Sequence, residues 1–145
     1  MELTVKKYNE LTVDELYDIL RARAEIFVVE QNCAYQDLDC KDKNAYHVYL
    51  KDEDGIVAYL RVLEAGVSYD EVCIGRVITV KRGQGFGAEI LKAGIKVAKE
   101  KLGADAIIIS AQLYAKGFYE KGGFRQISDQ YLEDGIPHIR MRCAL

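Results

Sequence analysis

The stretch KRGQGFGAEILKAG, residues 81–94, constrains the fold of this chain more than any other feature. It follows the β-branched run VCIGRVITV (72–80) and leads into apolar residues at helical spacing. Its first three glycines lack a Cβ, so another molecule can approach the main chain closely. A helix N-terminus offers unpaired N–H groups and the positive end of the helix dipole, both of which favour a phosphate. The stretch therefore predicts a strand, a tight turn and a helix whose first turn can bind an anion.

The runs around this stretch predict an α/β chain with a mixed sheet. In the N-terminal half we expect a strand (ELTVKKY), a helix from a capping box at Thr12 to about Val29, a loop at 30–44 and a hairpin that turns at Asp54-Gly55. A strand at 72–80 and a helix to Leu102 come next. The C-terminal part predicts a buried strand at 106–110, a short helix, and one or two strands around EDGIPH. Strand, helix and strand in this order imply a parallel pair with a crossover. No repeat or linker interrupts the pattern, so we expect one α/β domain over residues 1–145.

Composition narrows the classes of partner. The formal charge of −3 over 145 residues gives no bulk attraction to nucleic acid or to an anionic membrane, so we expect neither partner. The N-terminal residues contain no apolar stretch of signal-peptide length, which predicts a cytoplasmic protein. The four cysteines show no Cys-x-x-Cys spacing and the two histidines are far apart, so we expect reduced thiols and no metal site.

Three phosphate-binding motifs are compared with the glycine-rich stretch. No Walker sequence Gly-x-x-x-x-Gly-Lys-Ser/Thr is present. Residues 83–88 fit the dinucleotide pattern Gly-x-Gly-x-x-Gly/Ala, but the acidic residue that should end the next strand is missing, since Asp105 precedes that strand. The third pattern is Arg-x-x-Gly-x-Gly, beginning at Arg82 directly after the strand.

This third pattern resembles the acyl-coenzyme A pyrophosphate loop of the GNAT superfamily of N-acetyltransferases. In that family a long helix, a strand and a short helix with the pattern Ala-x-x-Phe-Tyr-x-x-x-Gly-Phe come next. Here Ala115, Phe118, Tyr119, Gly123 and Phe124 stand at those spacings. Two linked motifs in the right order are more specific than either motif alone.

The segments IFVVEQNCAYQDLD (26–39) and EDGIPHIRM (133–141) are similar to the ElaA-like branch of the superfamily, so the resemblance covers nearly the whole chain. It implies a central mixed sheet flanked by helices, with a slot for acyl-coenzyme A between two parallel strands. The chain departs from the branch at Ala34 and Cys40, and from many superfamily members at Gln112, where they carry asparagine. These departures concern the substrate-side loop and one contact with the cosubstrate.

The resemblance implies that acetyl-coenzyme A, released as coenzyme A, is the cosubstrate. Its diphosphate would bind the glycine loop, and its pantetheine would run between the strand ending at Val80 and the strand at 106–110, pairing with main-chain groups of Ile78 and Val80. The implied cosubstrate-binding residues are Ile78, Thr79, Val80, Arg82, Gly83, Gln84, Gly85, Phe86, Gly87, Ala88, Gln112 and Tyr119.

Amide formation from a thioester requires a neutral amine and a proton for the departing thiolate. The family pattern assigns the second role to Tyr119, because a phenol stays protonated at neutral pH and can donate. For the base we consider Glu30 and His47, with His138 behind them. Cys73 could suggest a route through an acyl-cysteine, although a packed thiol is the simpler interpretation.

Charged residues also surround the predicted substrate-side loop. Asp37, Asp39 and Asp42 could face a cationic amine, although a solvated aspartate cluster in turns is the commoner arrangement. Arg61 and Arg76 lie within strand runs. Either could contact the substrate, but we expect them to pair with a nearby aspartate.

The first functional hypothesis is an N-acetyltransferase in which a primary amine of a small molecule or peptide attacks acetyl-coenzyme A directly, without a metal. The alternative is a non-catalytic module that binds or senses acyl-coenzyme A, and a third possibility is a nucleotide bound by the glycine loop. The acceptor stays open among polyamines, amino sugars, antibiotics, peptide N-termini and protein lysines. An exposed edge strand would allow a homodimer.

Overall fold

The computed structural model describes residues 1–145 and contains eight strands and three helices. The strands are β1 (Glu2–Lys7), β2 (Ala45–Asp52), β3 (Gly55–Leu63), β4 (Val72–Thr79), β5 (Ala106–Gln112), β6 (Arg125–Gln126), β7 (Tyr131–Glu133) and β8 (Ile136–Ala144). The helices are α1 (Val13–Ala24), α2 (Phe86–Leu102) and α3 (Lys116–Lys121). The α/β prediction is confirmed, and the C-terminal part has three strands where the sequence predicted one or two. No helix is long and apolar enough to span a membrane.

All eight strands form one sheet in the order β1-β2-β3-β4-β5-β8-β6, with β7 paired to β8. Only β4 and β5 are parallel, and α2 makes the crossover between them. Every other neighbouring pair is antiparallel. The sheet is therefore mixed, as predicted, and its one parallel pair lies near its centre.

Helix α1 begins where the capping box predicts. The Thr12 hydroxyl accepts the Glu15 N–H at 3.0 Å, and the Glu15 carboxylate accepts the Thr12 N–H at 2.9 Å. These two bonds satisfy N–H groups that a helix start leaves unpaired. The helix continues as a π-helical segment over Glu25–Glu30, so the helical run ends one residue beyond the predicted position.

The two faces of the sheet carry different layers. The larger apolar cluster joins α2 to Val72 and Ile74 of β4 and to Ile107 and Ile109 of β5. Because side chains alternate along a strand, the intervening side chains, such as Cys73, project from the opposite face. That face also carries α1, whose Ile19 packs in a smaller apolar cluster.

Strands β4 and β5 pair only at their N-terminal ends. The pairing is limited to Val72 with Ile107 and Cys73 with Ile108. Along the β3–β4 pair the register slips, so that β4 has one residue more than β3 in the same interval. Arg76 lies in this bulge with a φ of 52°, a left-handed conformation that a non-glycine residue adopts at a cost. From the bulge onward β4 diverges from β5 and leaves a gap in the sheet.

The loop between α1 and β2 is held by buried and partly buried ion pairs. It contributes three aspartates, and α1, β3 and β4 contribute one arginine each. The contacts are Arg23 with Asp37 (3.1 Å) and Asp42 (2.7 Å), Arg61 with Asp39 (2.6 Å) and Asp42 (3.0 Å), and Arg76 with Asp37 (2.8 Å) and Asp39 (3.3 Å). The expected pairing of the two strand arginines is confirmed. The aspartates, however, are neither a solvated cluster nor free to face a cation, because each one is already neutralised by two guanidinium groups.

We expect Asp42→Asn to destabilise the fold by about 3 kcal/mol at neutral pH, because it leaves Arg23 and Arg61 short of one buried partner. Burial alone would raise the pKa of Asp42, but Arg23 and Arg61 hold it below its usual value of 3.8. The carboxylate therefore stabilises the fold above that value, and the effect is lost as the pH falls through the lowered folded-state pKa.

Urea unfolding at pH 7 and again near pH 2 measures both effects. The exposed Asp129→Asn is the control and should change the free energy of unfolding little. Equal stability of the Asp42 variant and the parent protein at pH 7 would show that the ion pairs do not hold the loop.

Candidate active site

A cleft of about 630 Å³ passes through the gap between β4 and β5. At one end, which we call the α3 end, it is lined by Thr79, Arg82, Tyr114, Ala115, Phe118 and Tyr119. At the other end, which we call the β7 end, it is lined by Lys41, Arg61, Ser68, Tyr69, Glu133 and His138. An extended molecule can therefore enter from one face of the sheet and reach a second molecule that enters from the other.

The glycine-rich turn at the α3 end has the geometry of an anion site. Gly83 and Gly85 have φ values of 77° and 79°, which L-residues rarely adopt. The first bond of α2 is donated by the Glu89 N–H to the Gly85 carbonyl, so the preceding amides of the first turn have no acceptor within the helix. These amides and the helix dipole together favour a phosphate.

Gly87 serves a different purpose, because it allows a close approach between elements. A Cβ at this position would lie 3.1 Å from the Thr79 hydroxyl and 3.3 Å from the Phe118 ring. The start of α2 therefore packs tightly against the end of β4 and against α3. Arg82, which precedes the turn, lines the cleft and forms an ion pair with Glu30.

The main chain of β4 differs from the prediction in one respect. The Val80 N–H donates to the Val57 carbonyl of β3 at 2.7 Å, so it faces away from the gap. Because N–H and C=O groups alternate in direction along a strand, Ile78 also faces β3, whereas Val77 and Thr79 face the gap. The geometry therefore does not support the predicted main-chain contacts through Ile78 and Val80, whereas Thr79, which was also predicted, faces the gap together with Val77.

Tyr119 lies at the α3 end, where α3 places its ring among aromatic side chains. The ring packs edge-on against Phe118 and Phe124, with centroid distances of 5.0 and 5.9 Å. Burial raises the pKa of the Tyr119 phenol. The hydroxyl therefore stays protonated at neutral pH and can donate a proton into the cleft.

Gln112 ends β5 and lines the cleft. Its side-chain amide exchanges two hydrogen bonds with Gln31, of 3.3 and 3.4 Å, from the segment that follows α1. Both bonds are long, so the pair can separate at little cost when a molecule in the cleft offers its own amide groups.

His47 was considered as the general base, but it does not line the cleft. It is fully buried in β2, where its Nε2 donates to the Asp42 carbonyl at 2.9 Å and its Nδ1 accepts from the Tyr59 hydroxyl at 2.8 Å. Burial also lowers the pKa of His47. With both nitrogens engaged inside the protein, His47 has a structural position and the geometry does not support it as a base.

Glu30 lies outside the cleft wall at the end of the π-helical segment. Its side chain is 44% exposed and pairs with Arg82 beside the glycine-rich turn. The contact places Glu30 at the α3 end. The geometry therefore does not support Glu30 as a base either.

A histidine and a carboxylate come together at the β7 end. The His138 Nδ1 donates to the Ile136 carbonyl at 2.7 Å, which leaves Nε2 unprotonated in the neutral ring. Nε2 lies 3.4 Å from the Glu133 carboxylate, which also accepts a bond from the Ser110 hydroxyl at 3.2 Å. The Tyr131 ring stacks on the imidazole. The unprotonated nitrogen of the neutral imidazole and a carboxylate therefore lie side by side at this end of the cleft.

Sequence reasoning placed His138 last among the histidines and missed Glu133, Ser110 and Tyr131. A signal for them was present in the Asp-Gly turn of EDGIPH. A tight hairpin there pairs Tyr131 with His138 and Glu133 with Ile136, as the structure has it. The register of a tight hairpin at this turn would therefore have predicted that the side chains of His138 and Glu133 lie close together.

The four cysteines are free thiols. Cys73 lies in the cleft wall between its two ends, and burial raises its pKa to about 11. A thiol of this kind is a weak nucleophile at neutral pH, because the thiolate is the reactive form. The packed-thiol interpretation of Cys73 therefore fits the structure better than the acyl-cysteine route.

Sequence comparison matches residues 7–145 to the family described as "Acetyltransferase (GNAT) domain". Protein ElaA of Escherichia coli is 36% identical over 138 residues, which are 92% of this chain and 90% of ElaA. The uncharacterized N-acetyltransferase YjcF of Bacillus subtilis is 33% identical over 132 residues, which are 88% of this chain and 91% of YjcF.

Solved structures agree with this assignment. An acyl-CoA N-acyltransferase from Pseudomonas aeruginosa superimposes with a TM-score of 0.92 at 35% identity, covering 99% of this chain and 100% of that chain. The crystal structure of Escherichia coli ElaA superimposes with a TM-score of 0.91 at 34% identity, covering 98% of both chains. Together with the divided sheet and the glycine-rich turn, these likenesses show that the chain belongs to the GNAT family of acetyltransferases and is an acyl-CoA-dependent acyltransferase.

Proposed function

We propose that this protein is an N-acetyltransferase in which a primary amine attacks the thioester carbonyl of acetyl-coenzyme A directly. The observation that carries the proposal is the gap between β4 and β5, which has an anion-binding helix start on one side and an acid–base pair on the other. Residues 1–145 would form a single catalytic domain.

The α3 end has groups suited to coenzyme A. The free amides at the start of α2 and the Arg82 guanidinium would bind the diphosphate. The Thr79 and Val77 main-chain groups face the gap and would pair with the amides of pantetheine. The Gln112 side chain would exchange its bonds to Gln31 for bonds to the same arm. Acetyl-coenzyme A supplies the activated acyl group.

Tyr119 would act as the general acid. Its protonated hydroxyl lies in the cleft wall beside the gap. A departing thiolate gains a proton most readily from a donor that is already placed and protonated. In this role Tyr119 lowers the barrier to breakdown of the tetrahedral adduct, and the attacking amine must lose its proton elsewhere.

His138 would accept the proton from the amine, directly or through a water molecule. Its Nε2 is the unprotonated nitrogen of the neutral ring, and the Glu133 carboxylate lies 3.4 Å from it. His138 therefore takes the role first considered for His47 and Glu30. The two proton-transfer groups then lie on opposite sides of the gap, as direct attack on a thioester within it would require.

A coenzyme A-binding sensor without transfer activity is the second candidate function. It would retain the glycine-rich turn and Arg82 but would have no need of the His138–Glu133 pair. The presence of that pair at the β7 end favours the enzyme.

Thermal unfolding with acetyl-coenzyme A, coenzyme A, NAD and ATP in parallel tests the cosubstrate. A ligand that binds only the folded protein raises its melting temperature. We expect a rise with the two coenzyme A species and none with NAD or ATP. A rise with NAD or ATP alone would assign the glycine-rich turn to a nucleotide instead.

We expect Tyr119→Phe to lower kcat by about 100-fold or more while leaving the affinity for coenzyme A within about threefold, because only the proton donor is lost. Steady-state rates of thiol release and calorimetric titration with coenzyme A measure the two quantities. Tyr17→Phe, at an exposed position outside the cleft, is the matched control. An unchanged kcat in the Tyr119 variant would remove the proposed acid.

We expect His138→Gln to lower kcat/KM for the amine by about 100-fold, because the amine loses the group that accepts its proton. The rates are measured at neutral pH over a range of amine concentrations with saturating acetyl-coenzyme A. His47→Gln provides the comparison and should lower stability while retaining most of kcat/KM. An unchanged kcat/KM in the His138 variant would contradict the assignment.

A further inference from the structure

The β7 end of the cleft has an uneven arrangement of charge. The three arginines and three aspartates around the α1–β2 loop neutralise one another. Glu133 keeps its negative charge and contacts His138 and Ser110. Lys41 is a further charged residue that lines this end, and it belongs to neither group.

Lys41 has no carboxylate within ion-pair distance. Its Nζ donates to the Ser68 hydroxyl at 2.8 Å, and its side chain is partly buried in the cleft wall. A partly buried ammonium without an anion is unfavourable, so the position favours an incoming negative charge. The bond to Ser68 fixes the ammonium in place before a ligand arrives.

A second donor on the same wall is also incompletely bonded. Arg61 is 3% exposed, and its Nε is a buried polar atom without a hydrogen-bond partner. A Cβ added at Gly75 would lie 3.9 Å from this nitrogen, so Gly75 is its neighbour on β4. The charge of Arg61 is neutralised by Asp39 and Asp42, but its Nε keeps an N–H group that has no acceptor within the protein.

The surroundings of Cys73 show that the Lys41 and Arg61 side chains lie in the same part of the cleft as Glu133. Burial is the main cause of its raised pKa, and the charges of Arg61, Lys41 and Glu133 all act on the same thiol. All three charged groups therefore lie within electrostatic range of Cys73, and all three line the same cleft. Tyr69, whose pKa is raised first by burial and also by Glu133, adds a protonated hydroxyl to the cationic wall.

From this arrangement we infer that the acceptor is a primary amine that also carries an anionic group, a carboxylate or a phosphate, and that Lys41 binds that group while the amine faces His138. This inference rests on the proposed acetyltransferase function and specifies its substrate class. A polyamine or a polycationic amino sugar would place a second ammonium against Lys41, so these acceptors are disfavoured. A charge-assisted bond to the ammonium would add to both binding and orientation.

Matched pairs of amines test the inference. The carboxylate arm compares amino acids and dipeptides with their C-terminal amides, and the phosphate arm compares O-phosphoethanolamine with ethanolamine. We expect kcat/KM to be at least about tenfold higher for the anionic member of one arm, and the arm identifies the anion. Equal rates for both members in both arms would overturn the inference while leaving the acetyltransferase function intact.

Substitution of Lys41 supplies the second test. In Lys41→Gln the ratio of the rates for the anionic and neutral members should fall to about one, whereas Lys41→Arg should retain the preference. Lys43→Gln removes an exposed lysine outside the cleft and is the matched control. A preference that persists in Lys41→Gln would assign the anion to another group and contradict the inference.

Calorimetric titration tests whether Lys41 binds an anion, without the need for a transfer reaction. N-acetylated acids, their amides and inorganic phosphate are titrated into the protein with and without coenzyme A. We expect an acid or phosphate to bind at least about tenfold more tightly than the amide, and we expect Lys41→Gln to remove the difference. Absence of Lys41-dependent anion binding overturns the inference. Failure of the acetyltransferase proposal would instead appear as no stabilisation by coenzyme A and no transfer to any amine.

Discussion

The ion pairs of Arg76 with Asp37 and Asp39 join the bulge of β4 to the loop that forms one wall of the cleft. The bulge supplies the extra residue that turns β4 away from β5, and the side chain of the same residue holds the loop in position. Without the bulge, β4 and β5 could continue to pair and the gap would close. Without these ion pairs, the loop that carries Lys41 would keep only the attachment through Arg61 of β3 among its ion pairs to the sheet. One strained residue therefore sets both the opening and one of its walls.

The same network explains how an acidic segment can line a cleft without attracting cations. Asp37, Asp39 and Asp42 each pair with two guanidinium groups, so their negative charges are neutralised within the fold. The groups left to act on a ligand are the few outside the network: Arg82 at the α3 end, and Lys41 and the His138–Glu133 pair at the β7 end. Cationic side chains thus lie at both ends of the cleft, and the proposed proton acceptor lies at only one of them.

Sequence reasoning succeeded where the signal is local or carried by a linked pair of motifs. The capping box at Thr12, the hairpin at Asp54-Gly55 and the glycine-rich start of α2 were each predictable from a few neighbouring residues. The same reasoning failed for His47 because a lone histidine in a strand has the same local pattern whether it faces a cleft or a core. Its two hydrogen bonds, to Tyr59 and to the Asp42 carbonyl, come from residues that only the folded sheet brings close.

The sequence by itself determined the α/β class, the parallel pair joined by α2, the anion-binding turn and the motif tyrosine, because each depends on residues within one element or its immediate connection. The tertiary structure alone decided which strand groups face the gap, which charges neutralise one another and which remain free. Those outcomes depend on a one-residue bulge in β4 and on the register of the β7–β8 hairpin. A shift of one residue in either would turn every following side chain to the other face of the sheet.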